Sequence, residues 1–299
     1  IIDGHSQVFK AYHGIRQLST STGIPTNAVY GFVQIMHRLF KTRKPTHIIV
    51  VFDSSGPTFR HELYDDYKAN RSAPPEDFSQ QMGYINQILE HMRLKVLAVP
   101  GFEADDIIAT LAIRAVDEGY DVRVVTADKD LMQLVNDNVQ ILRLMPDNEI
   151  VYDRDGVKEK MGVYPEQIGD LLAMVGDTSD NIPGIPRIGM KTAAKLLDEY
   201  GTLSNVLANA SSLKGKQAES IESGRESALL SQKLVALHYD VELDCVLSDC
   251  VMAEPELPAL LNIYRELEFR KLVSDLETAA PGAVEAAMPV APRDTDYKI

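Results

Sequence analysis

Cysteine is scarce in this sequence, whose 299 residues contain only Cys245 and Cys250. Two cysteines provide neither a metal-binding set nor a disulfide framework, which fits a protein of a reducing cytosol. No apolar run approaches the length of a membrane span, and no signal peptide is visible, so the sequence predicts no membrane partner. The first residue is Ile rather than Met and is typical of the inside of a strand. We therefore expect that the chain is trimmed at its start.

Basic residues are outnumbered by acidic ones, 30 Lys and Arg against 44 Asp and Glu, and the formal net charge is −14. Taken alone, this charge argues against a nucleic-acid partner, because proteins that bind phosphate backbones are usually basic. The hydrophobic share of 45% and the charged share of 25% are typical of a soluble globular protein. The length suits one large domain or two modest ones. The positions of the acids in the sequence are therefore more informative about function than the net charge.

Short apolar runs alternate with helical patterns over roughly the first half of the chain, which predicts a mostly parallel sheet with helices on both faces. The polar stretch 54–80, with three prolines, indicates a long excursion from this pattern. The part after about residue 160 is nearly all helical, and Ala and Pro are frequent from Ala279 onward. The predicted strands are 1–4, 47–52, 95–99, 122–126 and 139–142, and the predicted helices are 28–40, 81–93, 104–118, 131–135, 165–175, 190–200, 202–208 and 226–237.

Acidic residues follow the first four predicted strands. Because the carboxyl ends of parallel strands share one edge of a sheet, these side chains are expected to meet in one crevice. Their repulsion would be costly there, and bound cations are the usual remedy. A loop in the helical part, GDTSDNIPG at 176–184, adds two more acids. The nine residues are Asp3, Asp53, Glu103, Asp105, Asp106, Asp128, Asp130, Asp177 and Asp180.

Each acid also has a purely structural interpretation. Asp3 or Asp53 could end a strand in a turn, and the acids at 103–106 could favour a helix N-terminus through its dipole. Asp128 or Asp130 could cap the helix predicted at 131–135, and the pair at 177 and 180 could be turn or cap residues. These roles explain single residues better than the whole set. Clusters of carboxylates alone suit Mg²⁺ or Mn²⁺, and paired ions of this kind cleave phosphodiesters.

Two basic segments are candidates for binding DNA. The first is FRH at 59–61 with YKANR at 67–71, where Lys68 and Arg71 lie a helical turn apart and Tyr67 offers a face on which a base can stack. The alternative is a solvated surface helix. The second is GIPRIGMKTAA at 184–194, which resembles a helix–hairpin–helix whose backbone N–H groups hold a phosphate. The alternative is an ordinary corner between two helices.

Seven stretches of this sequence together resemble the 5′-nuclease (flap endonuclease) family, in particular its branch of N-terminal 5′→3′ exonuclease domains from bacterial DNA polymerases I. They occur in the family's order, and the resemblance runs to about residue 275. The stretches are IDGHS at 2–6, PTNAVYGF at 25–32, VVFD at 50–53, FRHELYDDYKANR at 59–71, VPGFEADD at 99–106, TADKDLMQL at 126–134 and GDTSDNIPGIPRIGMKTAAKLL at 176–197.

The resemblance implies an α/β fold with a PIN-like, mostly parallel sheet flanked by helices. It further implies a helical arch and a C-terminal helix–three-turn–helix DNA-binding region. The expected division is a nuclease core over 1–160 with the arch at about 54–90, the DNA-binding region over 161–275, and a linker over 276–299 toward a polymerase domain. Family members often hold a K⁺ ion through backbone carbonyls of the helix–three-turn–helix loop. The sequence does not assign that site to residues.

The resemblance also implies roles for the candidate residues. The acids surround two ions, Mg²⁺ or Mn²⁺, with Asp106 matching the bacterial pattern. Lys68 and Arg71 are the catalytic cations that steer the phosphate, with Tyr67 as the neighbouring stacking residue. The expected DNA-binding residues are Arg60, Tyr67, Gly184, Gly189, Lys191, Thr192 and Lys195.

The leading hypothesis is a structure-specific 5′→3′ exonuclease and flap endonuclease. Its expected substrates are DNA with a 5′ flap, nick or single-stranded 5′ end, and RNA primer junctions, in primer removal and excision repair. The tail at 296–299 resembles the entry into a polymerase domain, so we expect a monomeric fragment of a larger bacterial polymerase, cytoplasmic and associated with the nucleoid. The alternatives are a PIN-type ribonuclease, a non-catalytic DNA-junction module, and a metal-using hydrolase for small molecules.

Overall fold

The computed structural model describes residues 1–145 and 148–279. The linker predicted over 276–299 falls almost wholly outside the described residues, as does the tail at 296–299. The strands are β1 (Ile2–Asp3), β2 (Ile49–Val51), β3 (Lys95–Leu97), β4 (Val122–Val125), β5 (Val139–Leu144) and β6 (Glu149–Tyr152). The helices are α1 (Gly4–Gly14), α2 (Asn27–Arg43), α3 (Phe59–Leu63), α4 (Glu76–His91), α5 (Ala104–Asp117), α6 (Arg154–Met161), α7 (Ile168–Val175), α8 (Met190–Tyr200), α9 (Leu203–Ala208), α10 (Lys216–Ser223), α11 (Arg225–Val235), α12 (Leu257–Glu266) and α13 (Arg270–Ala279).

The described residues divide into two units, each built from several separate segments of the chain. Unit 1 contains Ile1, Asp53–Ser72 and Val99–Glu242. Unit 2 contains Ile2–Phe52, Ala73–Ala98 and the chain from Leu243 onward. The excursion expected to form an arch over 54–90 is thus divided between the units after residue 72. The predicted domain boundary after residue 160 stays a prediction.

Unit 2 is built on three parallel strands, with β2 between β1 and β3. Val50 is paired with Ile2 on one side and with Val96 on the other. All three residues of β2 are buried, as expected of a continuous apolar run in a parallel sheet that is covered on both faces. The helix α2 packs against both α1 and α4. Its fully buried Phe32 and Met36 contribute to the core of this unit.

Unit 1 contains the parallel pair β4 and β5, and β6 runs antiparallel to β5. The helix α5 packs on β4 and buries Ile107, Ile108 and Leu111. The helix α7, IGDLLAMV, is almost entirely apolar, which is typical of a helix with neighbours on several sides. It packs against α8 and α11. Unit 1 carries eight of the nine predicted acids, and Asp3 lies in unit 2.

The predicted fold class, a mostly parallel sheet flanked by helices, is confirmed, and so are most predicted elements. The helix predicted at 131–135 is a 3₁₀ helix, Asp130–Leu134. The predicted helix at 165–175 begins as the 3₁₀ turn Pro165–Gln167 and becomes α-helical at Ile168. The antiparallel strand β6 was not predicted, because its polar ends and half-exposed residues carry no clear alternation. Among the described helices, none is long and apolar enough to cross a membrane.

Candidate active site

Arg60 and Asp106 form a buried ion pair at the first turn of α5. The guanidinium donates to both carboxylate oxygens, at 2.7 and 2.8 Å, and also to the carbonyl oxygens of Leu234 and Ala236. Asp106 Oδ1 additionally accepts from the backbone N–H of His238. Asp106 is fully buried and Arg60 is 2% exposed. The predictions of Asp106 as a metal ligand and Arg60 as a DNA contact are therefore corrected, because each charge is already paired inside the protein.

Glu103 lies at the N-cap of α5 and accepts hydrogen bonds from two residues of the YKANR segment. Lys68 Nζ donates to its Oε1 at 2.6 Å, and Tyr67 Oη donates to its Oε2 at 3.1 Å. Lys68 Nζ also lies 3.8 Å from Asp180 Oδ2. One lysine therefore neutralises acids from two separate segments, the start of α5 and the loop after α7.

Tyr67 is buried, and its position corrects the prediction of a stacking platform. Its side chain is only 3% exposed, so the ring is not presented to a base. Burial, followed by the negative charges of Glu103 and Asp180, raises the pKa of its hydroxyl. The hydroxyl stays protonated and acts as a hydrogen-bond donor to these carboxylates.

The segment around Lys68 is a series of turns rather than the surface helix that its spacing allows. Three hydrogen bonds to backbone carbonyls join it to the loop after α7: Lys68 N donates to Asp180 O at 3.0 Å, Asn70 Nδ2 to Thr178 O, and Asn181 Nδ2 to Asp66 O. Arg71 adds an ion pair with Asp180. The sequence did not identify Asn70 or Asn181 as part of the site. An asparagine in each of two loops is the only signal that could have suggested this contact.

Lys129 connects the loop after β4 with the loop after α7. Its Nζ donates to Asp177 Oδ2 and lies 3.2 Å from Asp130 Oδ1. Sequence reasoning passed over Lys129, although its place between Asp128 and Asp130 in the stretch ADKD is a recognisable signal. Asp177 also accepts from the hydroxyl and the backbone N–H of Ser179.

The acids contacted by Lys129 have opposite pKa shifts. Burial opposes the ionisation of Asp177, but hydrogen bonds from Lys129 and Ser179 outweigh it and lower the pKa of Asp177 to about 2. Burial, followed by the charge of Asp128, raises the pKa of Asp130 to about 7, although Lys129 acts against this rise. The ionised form of Asp130 is therefore disfavoured in the metal-free protein, because Lys129 offsets only part of the effect of burial and of Asp128.

Gly176 and Gly184 let the chain cross closely where the loop that carries Asp177 and Asp180 begins and ends. A Cβ on Gly184 would lie 2.4 Å from Gly176 N, and one on Gly176 would lie 2.5 Å from Ile182 O. Both residues have positive φ angles, 75° and 61°, which favour glycine. The loop is closed between them by two hydrogen bonds that join the backbones of Asp177 and Ile182. The two glycines thus fix the position of both acids.

The second DNA-binding candidate opens α8. Gly189 is the N-cap of this helix and supplies no capping side chain. Lys191 and Lys195 are exposed and Thr192 is half-buried. The two lysines are four residues apart, which puts them on one face of the helix. Gly184, by contrast, is buried and donates its N–H to Ser231 Oγ at 3.0 Å. This N–H is therefore not available for the DNA contact that was predicted.

The other acids of unit 1 lie at the predicted strand ends. Asp53 follows β2 and its Oδ1 accepts from Ala104 N at 2.8 Å, which places it beside the start of α5. Asp105 lies in the first turn of α5. Asp128 is exposed, and its Oδ1 accepts from Asp130 N at the start of the 3₁₀ helix, whose N-cap is Lys129 without a capping side chain. In unit 2, Asp3 caps α1 by accepting from Ser6 N at 3.1 Å.

The candidate residues have the donor atoms that a metal ion needs, but the structure does not bring them together around one point. Within residues 1–145 and 148–279, no three His, Cys, Asp or Glu side chains converge closely enough to hold an ion. Basic side chains lie between the carboxylates instead. The donor chemistry fits a hard divalent cation, because the set consists of carboxylates. In addition, Asp130 Oδ1 is buried and accepts no hydrogen bond. The eight predicted acids of unit 1 outnumber the four basic side chains beside them, at 60, 68, 71 and 129.

Two family models match consecutive parts of the chain. The model described as the 5′-3′ exonuclease N-terminal resolvase-like domain matches residues 1–162, and the model described as the 5′-3′ exonuclease C-terminal SAM fold matches residues 163–258. Together they cover most of the sequence.

Several known proteins are similar over nearly the whole chain. A 5′-3′ exonuclease of Aquifex aeolicus is 38% identical over 277 residues, which are 93% of this chain and 94% of that protein. DNA polymerase I of Bacillus caldotenax is 39% identical over 282 residues, 93% of this chain but 32% of that protein. The chain thus spans about a third of such polymerases. A bacteriophage T5 flap endonuclease, solved in a complex with DNA and metal ions, shares the fold with a TM-score of 0.66, 22% identity, and coverage of 94% and 98%.

Proposed function

The chain belongs to the 5′-3′ exonuclease family, and we propose that its acidic cluster hydrolyses phosphodiester bonds near the 5′ ends of DNA with the help of divalent metal ions. The observation that carries this proposal is the arrangement of Glu103 and Asp180 around Lys68. Acids from two segments that are distant in the sequence share one cation that is suited to a phosphate. A purely structural set of capping residues has no reason to converge in this way.

The proposed ligands are all carboxylates, the donors preferred by Mg²⁺ and Mn²⁺. Two such ions, when bound, activate a water and stabilise the charge that develops on the scissile phosphate. The ligands come from the strand ends and from the loop between Gly176 and Gly184. They are Asp53, Glu103, Asp105, Asp128, Asp130, Asp177 and Asp180 of unit 1, while Asp3 of unit 2 stays a prediction from the sequence.

The chain's own cations have distinct roles in this proposal. Arg71 is half exposed, whereas its partner Asp180 is mostly buried, so the guanidinium can turn toward a phosphate in solution. Lys68 is less exposed and keeps Glu103 and Asp180 oriented. Both side chains lie beside the acids, where they can bind the phosphate that is to be cut. Arg60 fixes the start of α5 from inside and contacts no substrate.

The proposed substrate is DNA with a 5′ flap, a nick or a single-stranded 5′ end, including junctions with an RNA primer. The start of α8 supports this proposal, since exposed Lys191 and Lys195 can hold a backbone phosphate without reading bases. In the same proposal, the nuclease cuts the strand that lies ahead of the one extended by a polymerase domain of the full-length protein, in the bacterial cytoplasm at the nucleoid. A K⁺ ion in the loop before α8 belongs to this proposal as well.

The experiment is cleavage of a 5′-labelled flap duplex in Mg²⁺, in Mn²⁺ and in EDTA, by the unaltered protein and by Asp128→Ala. Asp128 is exposed, so its loss should leave the fold intact. We expect cutting near the junction in either metal, and none in EDTA or with the variant. Single-stranded RNA is the control substrate.

Other outcomes would support the alternatives. Preferential cutting of single-stranded RNA would favour a PIN-type ribonuclease. Binding of the intact flap without cleavage in either metal would favour a DNA-junction module and overturn the nuclease assignment. Cleavage in EDTA would overturn the role of the metal ions.

A further inference from the structure

Lys129 is the one residue between two predicted metal ligands, Asp128 and Asp130, that carries the opposite charge. Its ammonium bridges Asp130 and Asp177, which belong to different loops of unit 1. A divalent ion shared by these acids would satisfy the same two carboxylates. The ammonium of Lys129 therefore neutralises the same two carboxylates that a metal ion would neutralise.

The surroundings of Lys129 differ from those of Arg60. Arg60 has a side chain only 3% exposed, and its guanidinium donates four hydrogen bonds to three residues. The side chain of Lys129 is 42% exposed, and a lysine carries its charge on a flexible stem. Arg60 is thus fixed, whereas Lys129 can turn into solvent without breaking any packing of the core.

The acids that Lys129 contacts are much less accessible than the lysine itself. The side chain of Asp130 is 18% exposed and that of Asp177 is 12% exposed. Asp130 Oδ1 is buried without a hydrogen bond, although Lys129 Nζ lies 3.2 Å away. The lysine thus leaves one acceptor of this pair unsatisfied, and a better-placed cation would gain from replacing it.

We propose that Lys129 is an internal counter-ion that competes with divalent metal ions for Asp130 and Asp177. It thereby sets the metal concentration at which this part of the site fills. The inference rests on the proposed metal-dependent function and assigns a regulating residue to it. Without metal, Lys129 holds the two loops together against the repulsion of their acids. When an ion binds, the ammonium leaves for solvent and the carboxylates turn to the ion.

The direction of the effect follows from Coulomb's law. A positive charge near a divalent ion opposes its binding. Removing that charge is expected to strengthen binding by about tenfold, since the ammonium has moved into solvent, where water screens most of the repulsion. The same removal leaves Asp130 and Asp177 without their shared cation in the metal-free protein. One substitution is therefore expected to tighten metal binding while weakening the metal-free fold.

The test is a titration of Mn²⁺ into the free protein, followed by electron paramagnetic resonance without DNA, so that no catalytic activity is needed. Lys129→Met keeps the length of the stem and removes the charge, and Lys129→Gln is a second neutral variant. Lys129→Arg keeps the charge. Lys158→Met is the matched control, since Lys158 forms an exposed ion pair with Asp198 elsewhere in unit 1.

We expect both neutral variants to bind at least one Mn²⁺ about tenfold more tightly than the unaltered protein, and Lys129→Arg and Lys158→Met to stay within about twofold of it. Equal binding by the neutral variants would overturn the competition. Weaker binding would also overturn it and would make Lys129 a residue that positions Asp177 for the ion. If the unaltered protein and all variants bind no Mn²⁺, the metal-dependent function itself fails, and the inference fails with it.

Discussion

Arg60 donates to both carboxylate oxygens of Asp106, and both side chains are removed from solvent inside unit 1. A charge buried in this way is stable only while its partner is present. The pair also joins α3 to α5 and, through the carbonyls of Leu234 and Ala236, to the end of α11. It therefore holds in place the helix α5, whose N-cap is Glu103 and whose first turn carries Asp105.

The first prediction is that Arg60→Met lowers the free energy of unfolding by about 3–5 kcal/mol, because it leaves Asp106 as an unpaired buried charge. Urea unfolding followed by circular dichroism measures this loss. Arg154→Met is the matched control, since Arg154 pairs with Glu166 at the surface, and it is expected to change the unfolding midpoint little. Equal losses in the two variants would contradict the structural role of the buried pair.

Asp106→Asn tests the same pair from the acidic side. We expect it to be destabilising while leaving the number of bound Mn²⁺ ions unchanged, because Asp106 has no oxygen available for a metal. Loss of a bound Mn²⁺ from a still folded Asp106→Asn protein would restore Asp106 to the set of ligands.

The second prediction concerns the crossing of Gly176 and Gly184. Gly184→Ala brings a methyl group within 2.4 Å of the backbone of Gly176, so the loop that carries Asp177 and Asp180 has to move. We expect a loss of about 2 kcal/mol or more in the free energy of unfolding, together with weaker Mn²⁺ binding. The measurements are urea unfolding and Mn²⁺ titration on the same preparation.

Gly83→Ala is the control for this substitution, with the opposite expected sign. Gly83 lies inside α4, and no atom lies within 4 Å of a Cβ placed there. Alanine in place of glycine in a helix interior is therefore expected to stabilise the protein by about 0.5–1 kcal/mol. A stable Gly184→Ala protein that binds Mn²⁺ normally would show that the close crossing is not needed to place the acids.

The strand ends could be predicted from the sequence because their signals are local. The run of β-branched residues at 47–52 and the acids that follow the strands at 53, 103–106 and 128–130 are visible without knowledge of any contact. The helical periodicity after Glu103 likewise predicts α5. These features depend on neighbours in the chain, so their positions were found within a few residues.

The partners of the candidate residues could not be predicted, because they depend on contacts between distant segments. Arg60 and Asp106 are 46 residues apart in sequence, and nothing in the stretch FRH distinguishes a buried arginine from one that meets DNA. Tyr67 was assigned to stacking for the same reason, although it is buried and donates to Glu103. Sequence patterns identify charged and aromatic residues, but tertiary packing decides which of them meet solvent.

The third prediction concerns the lysines of α8. Lys191→Ala and Lys195→Ala should each weaken binding of a flap duplex about equally for any base sequence, because the proposed contacts are to phosphates. Each should also reduce by about one the slope of the logarithm of affinity against the logarithm of salt concentration. Fluorescence anisotropy in Ca²⁺, at several salt concentrations, measures both effects.

Mn²⁺ binding to the free protein should not change in these two variants, which separates DNA binding from the metal site. Lys158→Ala serves as the control for a lost surface charge. An unchanged salt slope in Lys191→Ala and Lys195→Ala would remove α8 from the proposed DNA-binding surface.

The fourth prediction is a pH dependence of the stability of unit 2 that arises from His37. This residue lies on α2, near the Tyr264 ring of α12, and Asp275 of α13 is the nearby charge. Burial lowers the pKa of His37 below 6.5, although Asp275 acts in the opposite direction. Between the folded and unfolded pKa values the unfolded chain binds more protons, so stability decreases as the pH falls through about 6.5. It levels off below the folded pKa.

His37→Phe removes this ionisation and keeps an aromatic ring in the same place. We expect the difference in unfolding free energy between His37→Phe and the unaltered protein to shift in favour of the variant as the pH is lowered from 7.5 to 5. Urea unfolding across this range measures the difference. Asp275→Asn removes the charge that raises the pKa of His37, so its stability should fall further on acidification. Parallel curves for His37→Phe and the unaltered protein would show that burial does not shift this histidine.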